Sequence, residues 1–394
     1  MTTGAASIDD GTAIDPRALY ERIEAGESVT ILDVRGPEEF AEWYIDGDAV
    51  EVENVPGTVF EGGLDEDLLD SLPRDDPLIV VCAKGRSSAE IAGMLRERGI
   101  DAKNLANGME GWARITVARE ITRYDGAGRL YQYERPSSGC LAYLLVDGAE
   151  AAVFDPLLAF ADRYRSDAEA EGATLAYAVD THVHADHVSG VRALAERGAT
   201  GVLSERAAER GVTFADEVET IADGETLRVG AATVEAIATP GHTTGMTSFL
   251  IDDEVLLTGD GLFSESLARP DLEAGADGAE AAARRLHESI HERILTRSDD
   301  TVIAGGHVSE TAEPAADGTY TATVGELRES MPILSVDAAE FAAEVLADMP
   351  PRPANYRTII AINLGEESVS EDLAFSLELG PNNCATSTEA LRGV

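Results

Sequence analysis

The run Thr181-His182-Val183-His184-Ala185-Asp186-His187 sets three imidazoles and one carboxylate within six residues. Each buried imidazole needs a partner for its ring nitrogens, and one metal ion satisfies several at once. The alternative is a solvated loop with unconnected histidines. It sits poorly with a chain that has 7 histidines in 394 residues. Further donors follow in the same kind of setting: His242 after Thr239-Pro240-Gly241, Asp260 after Leu256-Leu257-Thr258-Gly259, and His307 after Ile303-Ala304-Gly305-Gly306. In each case small residues precede the donor, and glycine lets backbone approach an ion without a Cβ clash. A second reactive group is Cys82 in Cys82-Ala83-Lys84-Gly85-Arg86-Ser87-Ser88. At a strand-to-helix turn, loop N–H groups and the helix N-terminus favour a thiolate, and Lys84 and Arg86 add positive charge. That arrangement suits a sulfane sulfur carried as an anionic persulfide; a buried structural cysteine is the plainer reading. His287 and His291 have i, i+4 spacing, but their charged neighbours Arg284, Arg285, Glu288, Glu292 and Arg293 predict an exposed helix face.

Positioning these groups requires strands that end in loops. Leu175–Val179 reads as a buried strand feeding the histidine run, and Val234, Ala236 and Ala238 alternate ahead of His242. Thr30–Arg35 and Pro77–Val81 read as strands, and the helix after Cys82 has Ile91, Met94 and Leu95 as its apolar set. A chain of 394 residues suits two or three units. The prolines of Met349-Pro350-Pro351-Arg352-Pro353 break the preceding helical stretch. There is no 18-residue apolar run, so no transmembrane span is expected. Asp9, Asp10 and Asp15 stand where a signal peptide would be basic.

The donor run HxHxDH, the later lone His, the Asp and the final His resemble the metallo-β-lactamase superfamily, which implies an αββα sandwich. Within it, Glu134–Leu144, Phe154-Asp155-Pro156-Leu157, Ala176–His182 and Ala268-Arg269-Pro270-Asp271-Leu272 look like the persulfide dioxygenases. That resemblance implies iron ligands at His182, His242 and Asp260, the 2-His-1-carboxylate set of a non-haem ferrous site. It puts Arg269 on the substrate side and gives Asp186 a catalytic part, with Asp186 or His187 orienting water or substrate. His184, His187 and His307 become outer groups or ligands of a second metal; the residues alone leave both open. The family often has tyrosine two residues after the last histidine, where this chain has Ser309. Leu32-Asp33-Val34-Arg35, the Cys82 loop and Leu105–Trp112 together resemble a rhodanese domain, although the sixth loop position is Ser87 where active sulfurtransferases usually have Arg, Lys or Thr.

The expected organisation is therefore an α/β chain: a rhodanese-like domain at 12–115, a linker at 116–128, a metallo-β-lactamase αββα sandwich at 129–310, and a C-terminal extension at 311–394 packing on it. Three cysteines argue for a reducing cytoplasm without a disulfide framework. Cys140 reads as a small core residue and Cys384 as structural in a turn. Thirty Lys+Arg against 74 Asp+Glu gives −44, which excludes a nucleic-acid footprint. Only Lys84 and Lys103 are lysines, and such an acidic, lysine-poor surface fits molar salt and a halophilic archaeal setting. The resemblance implies oxidation of a small thiol persulfide by O2 to sulfite at one Fe(II). Cys82, assisted by Lys84 and Arg86, would handle sulfane sulfur. A binuclear zinc hydrolase of the glyoxalase II kind is the alternative, and a degenerate, non-catalytic rhodanese module is the second. No membrane partner is expected; a homodimer is allowed.

Overall fold

The computed structural model describes residues 11–64, 66–73, 77–309, 312–347, 349–380 and Cys384. The chain forms two compact units, one comprising the residues up to Ile115 together with a short segment beginning at Leu379, the other Thr116–Glu378 and the residues from 382 onward.

The first unit is a five-stranded parallel sheet in the order Ala13–Ile14, Ala102–Leu105, Leu78–Val81, Val29–Asp33, Val50–Asn54. Leu78–Val81 is buried throughout, as expected of a parallel strand covered on both faces. It leads into the Cys82 loop and then helix Arg86–Glu97, whose inward face is Ser88, Ile91, Ala92 and Leu95.

The second unit contains two sheets. One has seven strands in the order Glu219–Ile221, Thr200–Ser204, Thr174–Val179, Glu150–Phe154, Cys140–Asp147, Arg129–Arg135, Val117–Glu120. The other has six, in the order Thr226–Val229, Ala232–Ala238, Thr247–Ile251, Val255–Gly259, Val302–Gly305, Thr321–Thr323. Leu141, Tyr143, Phe154 and Val202 from the first sheet share one apolar cluster with Val234, Phe249, Leu257 and Val302 from the second. Helix Ala161–Ala170 covers the outer face of the first sheet, and helices Asp271–Ser289 and Ala338–Ala347 cover that of the second. This is the expected layering of two sheets between helices.

Two expectations are corrected. The stretch 116–128 holds strand Val117–Glu120, which pairs antiparallel with Arg129–Arg135, and Ile121 and Tyr124 are buried in the inter-sheet core. Only Val117 of the strand is fully buried, and the charged Arg119 and Glu120 are half-buried, so a short edge strand passes for a linker. His287 and His291 are half-buried and not exposed. Their rings stack at 3.9 Å, and their Nε2 atoms donate to the Val336 and Leu334 carbonyls.

Candidate metal centre and thiolate loop

The strand Thr174–Val179 ends at Asp180, and the chain turns at once into the histidine run. Asp155, at the end of the neighbouring strand, fixes that turn: its carboxylate accepts from Thr181 N at 2.7 Å and from Thr181 Oγ1 at 2.9 Å. With its proton committed to Asp155, the Thr181 hydroxyl accepts from His182 Nδ1 at 2.9 Å. His182 Nε2 is thereby left as a lone-pair donor. His242 Nδ1 donates to the Arg269 carbonyl at 2.7 Å, which leaves its Nε2 in the same state. Both nitrogens converge on Asp260 Oδ2, at 3.9 Å from His182 and 3.6 Å from His242.

Strands Val255–Gly259 and Val302–Gly305 run parallel side by side, so Asp260 and His307 emerge together. Gly306 is required there, since a Cβ on it would lie 2.5 Å from Asp260 Oδ1. The two sheets are tied at this edge by Leu141 N donating to the Gly306 carbonyl at 2.8 Å and Tyr143 Oη to the Gly305 carbonyl at 2.6 Å.

His182, His242 and Asp260 hold donor atoms within 4.8 Å of one another, all buried. His182 Nε2 and Asp260 Oδ2 have no hydrogen-bond partner among the described residues. Buried polar atoms are normally paired, and two converging ones ask for a cation. Burial lowers the His182 pKa well below the histidine range, with His184 and His242 pushing the same way, and burial likewise lowers His242. Neutral imidazoles are what a metal needs. Two imidazoles and a carboxylate therefore fit a divalent transition metal.

The other predicted groups surround this trio. His307 donates from Nδ1 to Asp260 at 2.7 Å and from Nε2 to Asp186 at 3.0 Å. Burial opposes its charge, but the two carboxylates outweigh it and raise its pKa well above the usual range. Asp186 Oδ2 also accepts from His187 Nδ1 at 2.9 Å, and Cys140 Sγ lies 3.3 Å from the same oxygen. His184 Nε2 donates to Asp155 at 3.2 Å. Arg269 is buried and paired with Asp271 at 2.7 Å, its Nη1 donating to the Pro351 carbonyl. Ser309 Oγ is buried and lacks a hydrogen-bond partner among the described residues.

Sequence reasoning missed the residues that hold the loop. Asn363, ending helix Tyr356–Asn363, donates from Nδ2 to the His184 and His187 carbonyls at 3.0 and 2.8 Å and accepts from Ser189 N at 2.9 Å. Glu378 accepts from Val188 N at 2.8 Å and pairs with buried Arg135 at 2.8 Å.

In the first unit, Cys82 Sγ accepts from Gly85 N at 3.1 Å and sits 3.0 Å from Ser88 Oγ, which is 2.6 Å from Asn104 Oδ1. Burial raises the Cys82 pKa, but the Ser88 hydroxyl and the N–H groups of Ser88, Lys84 and Gly85 outweigh it, so the net shift is downward. Gly85 has φ +77°, and a Cβ there would lie 2.7 Å from Asn107 N. Lys84 is exposed and paired with Glu110 at 2.8 Å, and Arg86 is exposed on the first turn of the helix. The thiolate is held by the buried Ser88 hydroxyl and by backbone N–H groups, a partnership that no charge pattern reveals.

The Rhodanese-like domain model matches residues 15–115 and the Metallo-beta-lactamase superfamily model residues 136–307. The chain is 30% identical over 256 residues to the mitochondrial persulfide dioxygenase ETHE1 of Homo sapiens, covering 62% of this chain and 92% of that protein. It is 26% identical over 251 residues to a hydroxyacylglutathione hydrolase of Brucella anthropi, covering 64% and 84%. The crystal structure of ETHE1 from Myxococcus xanthus superposes with a TM-score of 0.52 at 28% identity, covering 60% of this chain and 99% of that one.

Proposed function

Because this chain belongs to the family of the persulfide dioxygenase ETHE1 proteins, we propose that it oxidises a small thiol persulfide: RSSH + O2 + H2O gives RSH + SO3²⁻ + 2 H⁺. It is an enzyme of the metallo-β-lactamase fold with a rhodanese domain. The observation that carries the reading is the trio His182, His242 and Asp260, with neutral imidazoles turned inward around one carboxylate. When bound there, a ferrous ion supplies a centre able to take up sulfur and O2 together.

The residues divide the remaining work. Thr181 and the Arg269 carbonyl fix the tautomers of His182 and His242. His307 bridges Asp260 and Asp186 and orients both carboxylates. Asp186 accepts hydrogen bonds from His187 and His307, which hold it as a carboxylate beside the trio. Burial of the whole cluster keeps bulk water from the sulfur. In the rhodanese domain, Cys82 takes up sulfane sulfur as a persulfide, its anion held by Ser88 and the Gly85 N–H.

A specific observation favours a second reading. His184 Nδ1 and His187 Nε2 are also buried without hydrogen-bond partners among the described residues, as a binuclear zinc hydrolase would need. Against it, both His307 nitrogens are already committed to carboxylates. Product analysis separates the two. Sulfite formed in equal amount to O2 consumed, with no thioester cleavage, is the expected result; thioester hydrolysis without O2 uptake establishes the hydrolase.

A further inference from the structure

We propose that Arg210 is the subsite for a carboxylate on the carrier of the persulfide; the inference rests on the reading of the second unit as a persulfide-oxidising enzyme and names the chemistry of that carrier. Arg210 follows helix Glu205–Glu209, and its side chain is 13% exposed. Its Nη1 is buried and has no hydrogen-bond partner among the described residues. The carboxylate in ion-pair reach is Glu273, whose Oε1 lies 3.4 Å from Arg210 Nε. That carboxylate is committed elsewhere at shorter range. Its Oε2 accepts from Thr244 N at 2.8 Å, and its Oε1 accepts from Thr244 Oγ1 at 2.7 Å. Burial lowers the Arg210 pKa, and the charge of Glu273 does not outweigh it.

Other buried arginines of this chain close on carboxylates at short range. Arg35 meets Asp33 at 2.7 Å, Arg135 meets Glu378 at 2.8 Å and Arg269 meets Asp271 at 2.7 Å. A cation taken out of water without such a partner is costly, and an apolar side chain would fill the same space at less cost. A guanidinium edge left open is the shape that a carboxylate takes with two parallel hydrogen bonds.

The segment that carries Arg210 is packed on both ligand loops. Ala207 and Val212, on either side of it, share an apolar cluster with Val183, which stands between His182 and His184. Ser204 Oγ donates to the Gly245 carbonyl at 2.7 Å, and a Cβ on Gly245 would lie 2.7 Å from Ala207 N. Glu273 Oε1 joins Arg210 to Thr244, two residues after His242. The His242 loop holds a second unanswered group: Thr243 is 4% exposed, and its Oγ1 has no hydrogen-bond partner among the described residues. The molecule as a whole carries −44 and repels an anionic carrier, so a fixed cation beside the ligand loops supplies the local attraction. Because it is buried, it keeps its strength in molar salt, where exposed charges are screened.

The test is calorimetric titration of the zinc-loaded full chain with mercaptohexanoate and with its neutral counterpart mercaptohexanol. Both present one thiol on the same flexible chain and differ in the carboxylate. The wild type should bind the acid about tenfold or more tighter than the alcohol, the scale of one charge-assisted hydrogen bond. Arg210→Gln should bring that ratio close to one. Arg210→Lys keeps the charge without the fork and should keep only part of the ratio, which decides the matter where the glutamine variant does not fold. A ratio near one in the wild type overturns the inference, as does a ratio that neither substitution lowers. Equal loss of both ligands in Arg210→Gln marks a structural role and also overturns it. O2 uptake by the iron-loaded wild type on the persulfides of the same two thiols separates this inference from the proposed reaction. Uptake without a preference for the acid in binding leaves the reaction standing and Arg210 without its role. A binding preference that depends on Arg210, without uptake on either persulfide, leaves the anion subsite standing while the reaction falls.

Discussion

Asp260 joins two functions in one side chain. Oδ1 accepts a hydrogen bond from His307 Nδ1 at 2.7 Å, and Oδ2 faces the two ligand imidazoles. Asp260→Ala removes the anionic ligand and leaves the buried His307 imidazolium with Asp186 as its one remaining carboxylate. Metal content should fall to a small fraction of wild type, and stability should fall by about 3–5 kcal/mol, the scale of breaking a buried ion pair. Metal analysis and denaturant unfolding read the two effects. At Cys82 the folded-state pKa is lowered, so the thiolate persists to lower pH than in an ordinary cysteine. The pH midpoint of alkylation of Cys82 should lie below the usual thiol range, and Ser88→Ala should move it upward; an unmoved midpoint would remove Ser88 from the thiolate's support. At this scale the donors were legible in the sequence because they cluster or follow glycine. Ser88 and Asn104 were not, since an uncharged pair 16 residues apart leaves no pattern, and the charges of Lys84 and Arg86 drew attention to exposed groups instead.

Elements place the donors, and the strand ends that do so could be read from continuous apolar runs followed by Gly, His or Asp. The exception, the strand Val117–Glu120, is an edge strand whose polar face looked like a linker. The clamp on the histidine run was illegible for a different reason. Asn363 reaches carbonyls 176 and 179 residues away, and Glu378 reaches Val188 across 190, so no local periodicity announces either. Asn363→Ala should leave the His184 and His187 carbonyls unsatisfied, at about 1–3 kcal/mol of stability. Metal retention during dialysis against a chelator should fall as well, while the first unit is untouched and Cys82 alkylation is unchanged. Gly306→Ala tests the strand end itself. Its new methyl collides with Asp260 Oδ1, so metal should be lost with little change in secondary structure by circular dichroism.

For the whole molecule the dominant quantity is a net charge of −44. Uniform repulsion opposes compaction at low ionic strength, and a Debye length of about 3 Å in molar salt removes it. Salting-out strengthens apolar burial as well. The melting temperature should rise steeply from low to molar KCl, and an unchanged or lower midpoint would withdraw the proposal of a high-salt cellular setting without touching the site. No helix among the described residues is long and apolar enough to cross a membrane. The proposed reaction needs a single redox metal at His182, His242 and Asp260 acting on a persulfide. Its most direct test is the metal content of anaerobically purified full-length protein, paired with O2 uptake on a small thiol persulfide. About one iron per chain, with uptake proportional to iron, is the predicted result. Two zinc ions per chain with no O2 uptake would contradict it.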